Sequence, residues 1–306
     1  ADTAAQDFLG HSTARVMGNA VATTDVEKLS LDRTVVTSID SSMSDLIKDA
    51  AITDQKRSGR CWAFAGLNVL RAAAIKQLEV PDFEFSQNFI FFYSKLEKAN
   101  WFLAQMIADA DRRLDDREVA ELLASPIGDG GWWPEFTFLV SKYGLVPKYA
   151  MPDTDSAANS AAMNKHLSEL LRRATLRLRR AIEMGDDPDA VRLETMDAAF
   201  RMLATHLGVP PTEFVWQYRN KDGDFTRVGT LTPREFAEKY MPDPDVWAVV
   251  AHDPRPEISL HTLYGIDRSN RAVGARTANH VTAELEVLKD AAIAAVKAGQ
   301  PVWFAC

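Results

Sequence analysis

A cysteine that opens a helix just behind a glycine turn is the most restrictive feature of this sequence. Gln55-Lys56-Arg57-Ser58-Gly59-Arg60-Cys61 runs directly into Trp62-Ala63-Phe64-Ala65. Trp62, Ala65, Gly66, Val69, Leu70 and Ala73 follow the i, i+3, i+4, i+7 spacing of a helix buried along one face, over residues 61 to about 78. Such a helix holds its first turn rigidly, and Ser58-Gly59-Arg60 supplies the turn leading into it. Cys61 is thus expected at a helix N-terminus, where unpaired N–H groups and the positive end of the dipole favour the nucleophilic thiolate. Its backbone N–H can donate to the oxyanion of a tetrahedral intermediate, and the side-chain amide of Gln55, in the preceding loop, offers a second donor. A lone cysteine is commonly a small buried hydrophobe. The glutamine and the turn, more than the thiol alone, carry the chemistry.

With 306 residues, 46% of them apolar, the chain can bury a substantial core as one large domain or two. A net charge of −8 argues against nucleic acid as a default partner. Cys61 and Cys306 are its two cysteines, too few for a disulfide framework, which points to a reducing compartment. No run reaches the length of a membrane-spanning helix, and the first residues lack the basic and apolar regions of a signal peptide. These features together predict a cytoplasmic protein.

Further helices are legible from caps and periodicity. Ser86 is placed to cap a helix carrying Phe89, Ile90, Phe92 and Tyr93; Glu118, Val119, Leu122 and Leu123 form another that stops at Ser125-Pro126. Pro134 fits the first position of a helix that ends at Gly144. Leu167, Leu170, Leu171, Ala174, Leu178 and Ile182 mark a long helix closed by Gly185, and another runs on to Leu207-Gly208. Phe214, Trp216 and Tyr218 alternate as in a strand before an Asp222-Gly223 hairpin turn. Thr232-Pro233-Arg234-Glu235 is a capping box. Leu285, Leu288, Ala292, Ile293 and Val296 stripe a last helix capped near Gly299, and Pro301 to Cys306 reads as the start of an apolar strand. A strand there needs neighbours on its edges, so the sheet it belongs to is expected to be incomplete within these residues.

The order Gln55, Ser58-Gly59, Cys61, Trp62 resembles the papain-like cysteine proteases. Arg60 before the cysteine, and Phe64 after Trp62 and a small residue, bring it nearer the bleomycin hydrolase and aminopeptidase C branch. Phe85-Ser86-Gln87-Asn88, the run Phe91 to Phe102, Lys142-Tyr143-Gly144-Leu145-Val146-Pro147-Lys148, Leu231-Thr232-Pro233 and Pro301-Val302-Trp303-Phe304 are similar to segments of that branch. So is Asp129-Gly130-Gly131-Trp132, which resembles the family's glycine loop. There the resemblance implies that Gly130 and Gly131 hydrogen-bond the substrate backbone, an approach that only glycine permits.

The resemblance implies an α+β, papain-like fold: a helical subdomain, a β-barrel subdomain and a large, mainly helical insertion. The expected division is an N-terminal arm with the helical subdomain over 1–154, the insertion over 155–265, and the start of a barrel over 266–306, its C-terminal part absent. It further implies a cysteine aminopeptidase acting on peptides, with no cofactor and no metal, assembled as a homo-oligomer, a hexamer in the family. Cys61 and Gln55 are its expected catalytic residues. A catalytically incomplete homologue or fragment that only assembles or binds peptide, and a papain-like endopeptidase, are the alternatives.

The family's catalytic histidine followed by Ala and Met, and its Asn-Ser-Trp-Gly loop, have no counterpart here. His11 falls in what reads as an extended N-terminal segment, and His166 and His206 in helical patterns. His252, His261 and His280 precede the Pro301 segment, whereas the family's histidine follows it. Asn159-Ser160 and Asn279-His280 lack the family's flanking residues. The histidine and asparagine are therefore expected beyond residue 306. Arg172, Arg173, Arg177, Arg179 and Arg180 read as a solvated face or subunit contact, nucleic acid being the lesser alternative. Asp109, Asp111, Asp115 and Asp116 lack calcium-loop spacing and read as helix-end and loop surface.

Overall fold

The computed structural model describes residues 1–47, 51–241 and 247–305. Two compact units result, Ala1–Leu46 and Ile47–Cys306. The first holds four short helices, α1 (Asp2–Gly10), α2 (Ser12–Thr23), α3 (Val26–Ser30) and α4 (Arg33–Ser38), none with a buried residue. This corrects the extended reading of the segment around His11, which instead joins α1 to α2. Local caps mark α3 and α4, whereas neither α1 nor α2 has a side-chain cap. The side chains of Asp25 and Asp32 accept from the backbone N–H groups of Glu27 and Thr34, a signal that core periodicity passes over.

The second unit is built around α5 (Cys61–Leu78) and α6 (Gln87–Ala108). Burial on α5 goes nearly all round: Ala63, Phe64, Leu67, Ala74 and Ile75 are inside together with Trp62 and Leu70. The single-face reading thus underestimates its burial, and Ala73 lies on the exposed side. Helix α6 begins where Ser86 Oγ accepts from Phe89 N–H, and it buries Phe89, Ile90, Phe91, Phe92 and Phe102. Each such side chain contributes about 1.5–3 kcal/mol when removed from water, so α6 is the axis of the core. Helix α7 (Arg117–Ala124) follows, capped by Asp116, and then α8 (Trp133–Tyr143), with Pro134 in its first turn and Gly144 at its end. After a 3₁₀ turn at Lys148–Ala150 come α9 (Asp155–Ala158), α10 (Ala161–Met184) and α11 (Pro188–Leu207), the last two packed on each other and on α6.

Strands β1 (Phe214–Arg219) and β2 (Phe225–Leu231) form the hairpin, with a register shift at Trp216/Gln217. Thr232 and Glu235 complete the capping box of α12 (Pro233–Tyr240). A three-stranded sheet follows. β5 (Ala278–Thr282) lies between β3 (Val250–Ala251), parallel to it, and β4 (Leu263–Ile266), antiparallel to it. Helix α13 (Leu285–Lys297) has the expected bounds, yet its apolar stripe is unburied.

Two further expectations are corrected. Residues 301–305 are not a strand, because no β ladder pairs them among the described residues; Trp303 instead packs against Trp133, while Phe304 is exposed. Asp109 is not loop surface. It is buried at the end of α6 and ion-paired with Arg268 at 3.0 Å, far along the chain, and with the nearby Arg112 at 3.4 Å. Of the basic run on α10, Arg172 donates to the Leu123 and Ala124 carbonyls that end α7, and Arg179 donates to those of Asp109 and Arg112. Arg172 thereby satisfies carbonyls that the C-terminus of α7 leaves unpaired, and Arg179 pins the turn that follows α6. Cys306 lies outside the described residues.

Candidate active site

Cys61 is the first residue of α5, and it is exposed, whereas Arg60 and Trp62 on either side are buried. The nucleophile candidate thus sits on an anchored turn with its own side chain in solvent. As the first helical residue, its N–H has no intrahelical acceptor.

A buried relay fixes the turn from behind. Arg60, 0% exposed, donates from its two terminal nitrogens to the Asp153 carboxylate at 2.7 and 3.3 Å. Its Nε donates to Ser58 Oγ at 2.8 Å, and Ser58 Oγ donates to the Gln55 carbonyl at 2.7 Å. Its guanidinium also lies over the Phe64 and Phe91 rings, 5.0 and 5.4 Å from their centroids. The loop carrying Gln55 is tied in this way to the residue before the nucleophile. Lys56 adopts a left-handed φ of 56° beside Gln55, and Arg57 N–H donates to the Ala158 carbonyl. Gln55 is half-buried, and its Oε1 has no hydrogen-bond partner among the described residues.

The glycine loop is joined to the same turn. Trp62 Nε1 donates to the Asp129 carbonyl at 2.7 Å, and Gly59 N–H donates to Asp129 Oδ2 at 3.0 Å. A Cβ on Gly59 would stand 2.6 Å from Asp129 Cβ, and one on Gly131 would stand 2.7 Å from the Trp62 ring. Both glycines are therefore required by close packing. Gly130 differs: it is exposed, with open space where a Cβ would project. The structure thus packs Gly131 against the indole of Trp62, the residue after Cys61. Gly131 is committed to that internal contact, and Gly130 faces open space.

Beneath the loop lie charges that sequence reasoning missed. Lys95 and Lys98, one turn apart on α6, are buried; Lys95 pairs with the Asp129 carboxylate, and Lys98 with Glu135 at 2.9 Å. Lys95 Nζ also donates to the Gly128 carbonyl at 3.0 Å and Lys98 Nζ to the Gly130 carbonyl at 2.6 Å. Ser160 and Asn164 add hydrogen bonds to Asp129, and Ser94 adds one to Glu135. Burial acts to raise the Asp129 carboxyl, but the Lys95 charge and the hydrogen bonds from Lys95, Ser160 and Gly59 outweigh it and hold the group well below the usual carboxylate range. Burial draws Lys95 down to about 8 against the pull of Asp129. One signal was available in the sequence. Lys95 and Lys98 fall in a helix rich in large apolar residues, and a lysine is almost never fully buried without a partner.

The histidines are engaged elsewhere. His206 shares a hydrogen bond with Ser156 and lies near His166, while His11 bonds the Asp7 carbonyl. His252 meets the Ala283 carbonyl, His261 the Glu284 carboxylate, and His280 stacks on Tyr264. Asn159 bridges to Arg57 in the backbone, close in sequence to the active-site turn, but without an imidazole for its side chain to orient among the contacts it makes.

Comparison with known proteins agrees with this geometry. The model of the Peptidase C1-like family matches residues 1–306. Aminopeptidase C of Lactobacillus delbrueckii subsp. lactis is 36% identical over 298 residues, covering 96% of this chain and 66% of that protein. Aminopeptidase C of Lactococcus lactis subsp. lactis is 39% identical over 264 residues (86% and 59%), and human bleomycin hydrolase 35% identical over 263 (83% and 58%). The chain therefore spans about three-fifths to two-thirds of the length of these relatives. The crystal structure of PepW from Lactobacillus rhamnosis HN001 superposes with a TM-score of 0.93 at 33% identity, over 98% of this chain and 68% of that one. Sequence and fold together show that the chain belongs to the Peptidase C1-like family.

Proposed function

We propose that this chain carries the nucleophile half of a cysteine aminopeptidase. The observation that supports it most is an exposed thiol on the first residue of a largely buried helix, with a glycine loop locked to the next residue, Trp62. In the proposed reaction the Cys61 thiolate adds to the scissile carbonyl carbon, and the carbonyl π electrons move to oxygen. The Cys61 N–H and the Gln55 side-chain amide then stabilise that oxyanion. Collapse of the intermediate breaks the C–N bond, and the departing amine takes a proton from a general acid. A thioester remains on Cys61, and water cleaves it to free the carboxylic acid and regenerate the thiol. Gly130 would hydrogen-bond the peptide backbone, with Gly131 fixing the loop behind it.

The general base and the amide that orients it are assigned to residues other than these 306. The partners of all six histidines, and the greater length of the relatives, support that assignment. Under this reading residues 1–154, 155–265 and 266–306 correspond to the helical subdomain with its arm, the insertion and the start of the barrel, and the sheet of β3, β4 and β5 straddles the boundary between the last two. A homohexamer acting on peptides in the cytoplasm completes the proposal. Among the described residues no helix is long and apolar enough to cross a membrane. Replacing Cys61 by Ala or Ser in the full-length protein tests the reading. Hydrolysis of aminoacyl reporters should vanish with folding intact, and undiminished turnover would overturn it.

A further inference from the structure

The Lys95–Asp129 pair does more than neutralise buried charge. Asp129 reaches both sides of Cys61. Its carboxylate accepts from Gly59 N–H, two residues before Cys61, and its carbonyl accepts from the indole of Trp62, the residue after it. Asp129 also immediately precedes Gly130 and Gly131. Lys95 locks this residue through its carboxylate and through the neighbouring Gly128 carbonyl, and Lys98 holds the carbonyl of Gly130. From α10, Ser160 and Asn164 close the remaining carboxylate positions.

Structural need alone does not account for this arrangement. Burying two ammonium groups and two carboxylates is expensive, and well-packed apolar residues often replace such sets without loss of stability. What apolar side chains cannot do is fix the direction of a backbone N–H. The backbone donor held here, Gly59 N–H, lies two residues before Cys61 in the turn that leads to the Cys61 N–H, the group that would meet the oxyanion.

We propose that Asp129, locked by Lys95, is a positioning residue for acyl transfer: it sets the direction of the Cys61 N–H and the height of the glycine loop together. The inference rests on the cysteine peptidase reading above. Without the clamp, the thiol stays at the head of α5 and stays reactive, but the oxyanion loses its alignment. Loss of thiol reactivity and loss of oxyanion binding are thereby separable.

The test uses the full-length protein as wild type, Asp129→Asn, Lys95→Met and the double variant, in which no buried charge is left unpaired. Three readouts are compared: hydrolysis of an aminoacyl coumarin amide, inhibition by an aminoacyl aldehyde, and alkylation of Cys61 by iodoacetamide. The aldehyde reports the oxyanion site, because sulfur bonds to its carbon and the carbonyl π electrons move to oxygen. Alkylation displaces iodide and needs no oxyanion site. Counted per alkylatable Cys61, kcat should fall at least tenfold and the aldehyde Ki rise at least tenfold in every variant, with alkylation within threefold of wild type. The double variant should regain thermal stability without regaining turnover. Wild-type kcat and aldehyde affinity in folded double variant would overturn the positioning role, whatever happens to the single variants. A wild-type protein that alkylates at Cys61 but neither turns over nor binds aldehyde would overturn the peptidase reading itself, and the inference with it.

Discussion

Trp62 Nε1 donates to the backbone carbonyl of Asp129 at 2.7 Å, so the residue after the proposed nucleophile and the residue before the glycine pair are one hydrogen bond apart. Sixty-seven positions of chain separate them. That bond joins the neighbour of the proposed attacking group to the loop proposed to align the substrate, and most of the testable consequences pass through it.

The two loop glycines should answer differently to the same change. A Cβ at Gly131 meets the Trp62 ring at 2.7 Å, whereas one at Gly130 meets nothing within 4 Å. Overpacking of this kind costs roughly 1–3 kcal/mol. Gly131→Ala is therefore expected to lower the melting temperature, and Gly130→Ala to leave it nearly unchanged while raising KM, because the added methyl group obstructs an approaching peptide. Calorimetry and steady-state kinetics on the two variants check this; equal melting losses would contradict the packing argument.

Gln55→Ala removes the proposed second oxyanion donor. One such donor is worth about 3–4 kcal/mol of transition-state stabilisation, so kcat should fall about 10²- to 10³-fold with KM little altered. Gln55→Glu, which keeps the size and the Ser58-to-carbonyl tie but replaces the amide by an anion, should be no better than the alanine variant. An unaltered kcat in either variant would remove Gln55 from the oxyanion site.

Asp129 should leave a mark on stability in acid. Its carboxyl lies well below the ordinary 3.8 when folded. A depressed folded value stabilises the protein fully above the unfolded value, and that contribution fades as pH falls through about 4 toward the folded value. The slope is at most about 1.4 kcal/mol per pH unit for one proton. Asp129→Asn should therefore be less stable than wild type at pH 7 by about 3–5 kcal/mol, since it leaves Lys95 buried and unpaired. The gap should narrow steadily below pH 4. Parallel melting curves for the two proteins between pH 5 and pH 2.5 would show that the pair is not linked to folding.

What the sequence made legible is what local chemistry determines. Ser86, Gly144, Gly185, Gly208 and the Thr232–Glu235 box each act within four residues, and each ends or begins a helix where expected. Cys61 and its turn were legible for the same reason. The charged layer under the glycine loop was not, because Lys95, Asp129, Ser160 and Asn164 meet only through tertiary packing across intervals of about thirty residues or more. Asp153 pairs with Arg60 across a longer one. The segment 301–305 failed for the complementary reason: apolar composition suits a strand, but a strand exists only where a neighbour supplies the ladder. Helix α13 shows that the right period does not by itself say what the stripe faces.

Selective labelling of Cys61 by a peptidyl epoxide, mapped by mass spectrometry against Cys306 in the full-length protein, tests the central claim most directly. The epoxide ring opens as the sulfur–carbon bond forms, and its oxygen takes up a proton. If Cys61 is the nucleophile, it should carry nearly all the label, lose it in competition with an N-terminally unblocked peptide, and lose hydrolytic activity in step with labelling. Equal labelling of Cys61 and Cys306, or full activity after complete modification of Cys61, would contradict the account.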